Sequence, residues 1–433
     1  MRCGKQAWWL WIGPALLVVS CATCTTPALG QSRANADGLI ASPEPGWAQW
    51  RGPRRDGISA EKGLLAQWPE GGPKLLWQVD GLGKGWSSPI VVGGRAYVTG
   101  DVGNELVLFA FDDRGRLVWK TTNGQAWNGP YPGARASCVY SEERLYHVNA
   151  HGRLACFDAA AGNEIWDVDI LQRFAAKNIQ WGVSECLLID GNRLIVTPGG
   201  TKALMAALDK SDGHTLWTTA PLGDDVASHS SPILFRAAGR RQIANCASAH
   251  GFAVDADSGK LLWTVPLKNQ FGVNTATPIF GGRQVFFVTP YAENGRAYRL
   301  RGDGDKLSAE EAWRSSLDTV TGSAVLLDGT LFAGGYRKSK WWFGLDWNTG
   351  QTLSEQKELT TGAAVYADGR LYVFDERGTA ALVQPERSAM KIVGRFRISQ
   401  ERLGDAWAHP VVCDGRLYIR YHDTLRCYDV RAR

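Results

Sequence analysis

The chain has 433 residues, of which 44% are hydrophobic and 21% charged, with 50 glycines and 19 tryptophans. This balance favours a folded chain with many turns and large aromatic anchors, and it argues against a disordered polymer. The formal net charge of +5 comes without a long run of lysine and arginine, so nothing in the composition supports a nucleic-acid partner.

The first thirty residues predict a signal peptide and therefore export. Arg2 and Lys5 form a charged start, an apolar stretch covers residues 8–19, and small residues follow. Two cleavage sites compete: residues 28–30 fit a signal peptidase, whereas residues 18–21 resemble a bacterial lipobox that would leave Cys21 lipid-modified. The apolar stretch is shorter than the ~20 residues of a spanning helix, so we expect no transmembrane span.

The next segment, residues 31–72, is predicted to be a leader that caps the domain formed by residues 73–433. It contains an unusual run of tryptophan, arginine and glycine over residues 47–57. A ligand-binding role for this run is the alternative interpretation.

A repeat dominates the rest of the chain. Four segments carry an aspartate, then a glycine, then a tryptophan four residues after that glycine: they are Asp112–Trp119, Asp158–Trp166, Asp209–Trp217 and Asp255–Trp263. Self-similar units of this kind start near Ser87, Ala136, Ser184, Ser230, Ala276, Gly322, Gly362 and Ala408. Consecutive starts are 40–49 residues apart, and a spacing of this size is typical of repeat architectures.

Within each unit, short apolar runs alternate with Gly, Asp and Asn turns, which predicts a four-stranded antiparallel meander. Eight such units predict an all-β, eight-bladed β-propeller. The last unit lacks its fourth strand, whereas Pro73–Val79 carries that strand's pattern ahead of the first unit. We therefore expect the N-terminal strand to complete the last blade and close the ring.

The repeated tryptophans are interpreted as packing residues whose indoles bridge neighbouring sheets. Truncating one to Ala is expected to cost about 3–5 kcal/mol. The residues assigned to this structural role are Trp77, Trp119, Trp166, Trp217, Trp263 and Trp313.

Binding residues are expected in the connections that precede the innermost strands, because these converge on the axial funnel of a propeller. The candidates are Trp86, Arg135, Trp181, Glu185, His229, Asn274, Thr321, Thr361, Trp407 and His409. They would suit an acidic or sugar-like ligand or a peptide; the alternative is that they plug the channel. An enzymatic version would use Glu185 and His229 as acid and base. The aromatic loop 123–133 is a further candidate that would overhang the funnel.

The recurring motif A-x-D-x-x-x-G-x-x-x-W resembles the PQQ-type repeat of quinoprotein-like β-propellers. This repeat is shared by quinoprotein alcohol dehydrogenases and by the propeller lipoprotein of the outer-membrane β-barrel assembly machinery. The run at residues 47–57 is similar to a leader of exported PQQ-like proteins of planctomycete type. The resemblance covers residues 75–429 and implies a periplasmic or envelope location, lipid-anchored if Cys21 is modified.

The dehydrogenases of this family carry a vicinal cysteine pair, and this chain has no Cys-Cys. We therefore predict no cofactor, no metal and no catalytic residue. The function predicted is a non-catalytic, monomeric scaffold that binds an envelope protein or polysaccharide. The alternative is a quinoprotein-like oxidoreductase that uses PQQ with calcium.

Overall fold

A computed structural model of the chain describes residues 36–291, 294–303, 306–399 and 405–432, together with residues 1, 4, 6 and 10. Apart from those four residues, the predicted signal peptide, including Cys21, lies outside the described residues. The chain divides into two units, Met1–Ala36 and Asp37–Arg433, and the features below belong to the second. The described residues contain no helix with the length and apolar content needed to span a membrane.

Eight sheets, numbered here as blades 1 to 8, account for the described strands. Before blade 1 the chain forms β1 (Gly38–Leu39) and β2 (Lys74–Val79). The strands of the first four blades are β3 (Ile90–Val92), β4 (Arg95–Val102), β5 (Glu105–Phe111) and β6 (Leu117–Gln125) in blade 1; β7 (Val139–Ser141), β8 (Arg144–Val148), β9 (Arg153–Asp158) and β10 (Glu164–Asp169) in blade 2; β11 (Leu188–Asp190), β12 (Arg193–Val196), β13 (Ala206–Asp209) and β14 (Thr215–Thr218) in blade 3; and β15 (Ile233–Ala237), β16 (Arg240–Cys246), β17 (His250–Asp255) and β18 (Leu261–Pro266) in blade 4.

The second half of the ring repeats this order. Its strands are β19 (Ile279–Gly281), β20 (Gln284–Thr289), β21 (Asn294–Asp303) and β22 (Lys306–Ser315) in blade 5; β23 (Val325–Leu327), β24 (Thr330–Gly334), β25 (Trp342–Asp346) and β26 (Thr352–Gln356) in blade 6; β27 (Gly362–Ala367), β28 (Arg370–Asp375), β29 (Thr379–Glu386) and β30 (Ala389–Arg397) in blade 7; and β31 (Val411–Cys413), β32 (Arg416–Tyr421) and β33 (Thr424–Asp429) in blade 8. One short helix, α1 (Ile170–Arg173), follows blade 2.

The predicted propeller is confirmed, including the way in which it closes. Strand β2 pairs antiparallel with β33, with Leu75 opposite Tyr428 and Val79 opposite Leu425, so blade 8 has the order β2-β33-β32-β31. The sequence did not predict that β1 joins blade 4 as a fifth strand beside β15. The apolar core lies between the faces of neighbouring blades, for example between blades 2 and 3 around Tyr146 and Leu194.

The residues of the repeat motif form a contact between consecutive blades. Its aspartate closes a turn: the Asp158 carboxylate accepts the backbone N–H of Ala161, and the Asp158 carbonyl accepts that of Gly162. The glycine then adopts a positive φ, and a Cβ there would lie within 3 Å of the indole of the preceding blade. The tryptophan–glycine pairs of this kind are Trp77 with Gly115, Trp119 with Gly162, Trp166 with Gly213, Trp217 with Gly259, and Trp313 with Gly350.

Trp263 departs from this arrangement. Blade 5 replaces the glycine turn with the long β21–β22 hairpin, and the Trp263 indole N–H instead donates to Gln242 of its own blade, at 2.8 Å. The side chain is still buried.

The leader segment fills the centre of the ring by bonding to the innermost strand, or to the residues just before it, in each of the eight blades. These contacts are Trp47 with Val91, Ala48 with Tyr140, Arg55 with Cys186 and Leu187, Ile40 with Leu234, Trp50 with Thr277, Arg51 with Ser323 and Ala324, Ser59 with Tyr366, and Ser59 with Val412. Innermost strands have an edge that faces the axis, so this segment supplies partners for backbone groups that would otherwise be buried without one.

Two arginines of the leader are buried completely. Arg55 donates to the carbonyls of Cys186 and Leu187 at 2.7 and 2.8 Å, and Arg51 donates to the carbonyl of Ala324 at 2.6 Å. Burial lowers the pKa of each guanidinium to about 10, so both remain charged at neutral pH. The leader is thereby tied to blades 3 and 6 at the centre of the ring.

Candidate functional site

An axial cavity of about 480 Å³ lies above the leader, with Trp50 in its lining. Its wall comes mainly from the connections that precede blades 1 to 6 and blade 8, with further residues from the connections between the second and third strands of blades 5 and 6. Six of the residues predicted from the sequence lie in this wall: Trp86, Arg135, Trp181, His229, Thr321 and Trp407.

Four predicted residues do not line the cavity: Glu185, Asn274, Thr361 and His409. Glu185 stands between Ser184 and Cys186, which both face the cavity, and Asn274 stands between Val273 and Thr275, which do the same. Because extended backbone points successive side chains to opposite sides, the intervening residue is directed into the protein.

Instead, each of these four residues is buried in the protein, and three of them make contacts there that support the fold. The Glu185 carboxylate accepts bonds from the backbone and hydroxyl of Thr197, at 2.8 and 2.6 Å, and from Asn245. Asn274 donates to the carbonyl of Ala247. His409 lies against the Trp50 ring at 4.4 Å and 3.1 Å from the carbonyl of Thr321. Thr361, before blade 7, is buried.

Arg135 is one of two arginines that line the cavity, the other being Arg337. Its guanidinium donates to four backbone carbonyls, those of Pro130, Tyr131, Gly133 and Trp181, over 2.5–3.1 Å. It also lies over the rings of Trp86 and Trp127, 5.7 and 5.3 Å from their centroids. Burial lowers the pKa of Arg135 to about 10, so the group stays charged at neutral pH. It makes no ion pair with any described carboxylate.

Aromatic rings form the rest of the wall. Trp86 and Trp407 lie 4.7 Å apart, and Tyr131 lies 5.5 Å from Trp407. On the opposite side, Phe271 meets Tyr291 edge to face at 5.0 Å. Tyr131 and Phe271 are 53% and 51% exposed, so the rim of the cavity presents aromatic surface to solvent.

The imidazole of His229 pairs with Ser184, whose Oγ lies 2.9 Å from Nδ1. Burial, aided by the nearby Arg135 charge, lowers the pKa of His229 to about 4, so the ring is neutral at neutral pH. The sequence-based idea of an acid–base pair requires His229 to meet Glu185, but the Glu185 carboxylate is bonded to Thr197 and Asn245. The structure therefore does not assemble that pair.

Metal and cofactor ligands are sparse around the cavity. Among the described residues no Asp or Glu lines it, and its single thiol, Cys186, has its pKa raised by burial. Elsewhere, Glu61, Cys413 and Asp414 bring three ligand atoms within 4.8 Å, but both Glu61 oxygens already accept backbone N–H groups. The six described cysteines are all free and buried.

Four cavity residues were not among the candidates from the sequence: Phe271, Tyr291, Tyr336 and Arg337. Trp50 lies in the run 47–57, for which a ligand-binding role was the alternative interpretation. Tyr291 and Tyr336 both follow the second strand of their blades, at equivalent positions in consecutive repeats. This equivalence could have identified both tyrosines as cavity candidates from the sequence, because equivalent positions in a propeller lie at the same end of the ring. Tyr131 lies in the loop 123–133, which the sequence did single out.

The fold and the cavity define the chain as a closed eight-bladed propeller of PQQ-type repeats with a lined axial pocket. The family model described as outer membrane protein assembly factor BamB matches residues 103–337, and the chain belongs to that family. A BamB of Yersinia pestis is 22% identical over 281 residues, covering 60% of this chain and 65% of that protein. The chain thus matches just under two thirds of that relative's length.

Two further comparisons agree. A BamB of Shewanella oneidensis is 23% identical over 363 residues, which cover 70% of this chain and 86% of that protein. The crystal structure of BamB from Moraxella catarrhalis superposes with a TM-score of 0.61 at 14% identity, covering 82% of this chain and 99% of that one. At such identity the structural likeness supports the fold alone.

Proposed function

We propose that this protein is an exported scaffold of the cell envelope that holds a segment of a protein partner in its axial cavity. The family and the relatives are named for a factor of outer membrane protein assembly, and an assembly factor acts on other proteins. The predicted signal peptide supports export. Whether the chain is released or lipid-anchored at Cys21 is decided by mass spectrometry of the mature N-terminus.

The observation that carries this proposal is the rim of the cavity. Tyr131 and Phe271 expose about half of their surface beside a concave, aromatic pocket of about 480 Å³. Exposed apolar surface around a concavity marks binding sites, and aromatic side chains are the residues most often responsible for binding energy at protein interfaces.

Site-specific photo-crosslinking tests the proposal. Phe271 is replaced by p-benzoylphenylalanine in cells that natively express the chain, and the crosslinked peptides are identified by mass spectrometry. We expect an adduct with a defined envelope protein, reduced about tenfold when Trp181→Ala or Trp407→Ala is added, because Trp407 lines the opposite wall of the cavity and Trp181 lines it beside Phe271. The same probe at Lys120, exposed on the outer strand β6, is the matched control.

Three outcomes would overturn the scaffold proposal. The first is a crosslinking yield at position 271 no greater than at position 120, and the second is an adduct with polysaccharide alone. The third is dye-linked alcohol oxidation after reconstitution with PQQ and calcium, which would establish the quinoprotein alternative. No observation favours that alternative, since the described cavity wall offers calcium no carboxylate.

A further inference from the structure

A basic groove opens beside the axial cavity on blades 6 and 7. It encloses about 380 Å³ and is lined by Arg337, Lys338, Lys340, Trp341, Lys357 and Arg377. The Trp341 ring forms an aromatic surface within it, with the Lys357 ammonium 5.0 Å above the ring centroid. The groove is therefore cationic with an aromatic element, as the cavity itself is.

The charges of this groove are largely uncompensated. Lys357 pairs with Glu355 at 2.8 Å, and the lining carboxylate Glu358 pairs with Arg395 at 2.9 Å. The exposed side chains of Arg337, Lys338, Lys340 and Arg377 make no ion pair within the described ranges. Like charges gathered in one groove repel each other. An anionic ligand would therefore reduce the electrostatic repulsion present in the free protein.

The loop that carries Arg337, Lys338 and Lys340 is held in place by a buried carboxylate. The Asp318 carboxylate accepts the backbone N–H groups of Tyr336, Arg337 and Lys338 at 3.0, 3.0 and 3.2 Å. Asp318 is 4% exposed, so its charge is directed to the backbone and not into the groove. The ammonium and guanidinium groups are thus presented from a fixed backbone, which reduces the entropy lost on binding.

The basic groove is continuous with the axial cavity, because Arg337 lines both and lies over the Tyr291 ring at 5.1 Å. On the other side, a mostly apolar side groove of about 160 Å³ leaves the cavity between blades 3 and 5. It is lined by Ile179, Val226 and Ala227 together with Lys177 and Asn178, and it shares Trp181 and Phe271 with the cavity. The three concavities form one track across this end of the ring.

We propose that the track binds an extended acidic peptide segment, with its carboxylates in the basic groove and its aromatic or aliphatic side chains in the cavity and side groove. This inference rests on the proposed function and specifies the chemistry of the partner. The mostly apolar lining of the side groove favours a peptide with aliphatic side chains over an acidic sugar polymer, which would bring hydroxyl groups to that surface.

The experiment measures binding of labelled peptides by fluorescence anisotropy to the purified full chain. One dodecapeptide alternates glutamate with leucine and tryptophan, and its counterpart has glutamine in place of every glutamate. The test variant is Lys338→Glu, Lys340→Glu and Arg377→Glu combined. The matched control reverses the same number of exposed charges on outer strands or turns, as Lys120→Glu, Lys260→Glu and Lys391→Glu. Thermal unfolding verifies that both variants fold.

We expect the acidic peptide to bind the native chain and the control variant about tenfold or more tightly than the groove variant, and binding to weaken with added salt. Three results would overturn the inference: equal affinity for the two peptides, equal affinity of the two variants, or binding of polygalacturonate without binding of either peptide. Equal affinity for the two peptides that is lost in Trp181→Ala would leave the scaffold proposal standing while removing the acidic partner. The crosslinking experiment judges the scaffold proposal independently.

Discussion

Glu185 carries a carboxyl group that the solvent does not reach, behind the wall of the axial cavity. Burial raises its pKa from 4.5 to about 7, although hydrogen bonds from Thr197 oppose the shift. The folded protein therefore binds this proton more tightly than the unfolded chain does. The stability that the protonated carboxyl contributes is complete below about pH 4.5 and falls as the pH rises towards 7.

Glu185→Gln is predicted to remove this part of the pH dependence. The wild type should lose stability of the order of 3 kcal/mol relative to the variant between about pH 5 and about pH 8. Urea unfolding of both proteins at these two pH values measures the difference, and the contributions of the buried histidines cancel in it. The exposed Glu70→Gln serves as control and should follow the wild type. A constant difference between wild type and Glu185→Gln across the range would refute the assignment.

At the residue level, the sequence located connections more closely than side chains. Six of the candidate residues line the cavity, whereas Glu185 and Asn274 lie behind it and their immediate neighbours line it. The repeat pattern locates a connection along the chain, whereas the side to which each side chain points depends on the local register. No spacing in the sequence specifies that register within an irregular connection.

At the scale of the element, the recurring motif combines a turn with a socket for an indole. The aspartate and glycine build the turn of one blade, and the tryptophan of the previous blade lies on that glycine. These contacts recur at a fixed spacing, so a single sequence was enough to predict the blades and their number. Blade 5 departs from the pattern because a long hairpin replaces its turn, and there Trp263 bonds within its own blade.

Two glycines of blade 4 separate the effect of the socket from that of backbone conformation. Gly239 and Gly259 have φ of 76° and 72°, but a Cβ on Gly239 would meet nothing within 4 Å, whereas one on Gly259 would lie less than 3 Å from the Trp217 indole. Both alanine variants bear a left-handed backbone cost of about 1–2 kcal/mol.

Gly259→Ala is predicted to lose about 1–3 kcal/mol more than Gly239→Ala, because the methyl group forces the indole away from the neighbouring blade. Chemical denaturation of the two variants and the wild type measures this difference. Near-ultraviolet circular dichroism should also change in Gly259→Ala alone, since only there is a tryptophan displaced. Equal losses would show that the indole accommodates a methyl group and that the glycine serves the backbone only.

At the scale of the whole molecule, the leader and β2 make the ring continuous. Strand β2 closes the ring at blade 8, as the sequence predicted from its strand pattern. The contacts of residues 40–59 with all eight blades were beyond sequence reasoning, because they join residues more than 40 and up to about 350 positions apart and follow no period. These contacts join segments that only the folded ring brings close together.

Arg55 provides the last test, of whether this segment stabilises the ring as a unit. Arg55→Met removes the charge-assisted hydrogen bonds to the carbonyls of Cys186 and Leu187 and a longer one to the Gln49 side chain, and it leaves the two carbonyls buried without these donors. We therefore predict a loss of about 3 kcal/mol or more. The adjacent Arg54 is exposed and pairs with Asp56 at the surface, and Arg54→Met should cost about 1 kcal/mol or less. Arg55→Lys, which keeps the charge and can donate to one carbonyl, should lose an amount of stability between these two values.

Hydrogen exchange then distinguishes a local from a global role of the leader. In Arg55→Met the backbone amides of the innermost strands β11, β23 and β31 should all exchange faster, because the leader bonds at or just before each of these strands. Faster exchange confined to β11 would mean that the leader acts on each blade separately.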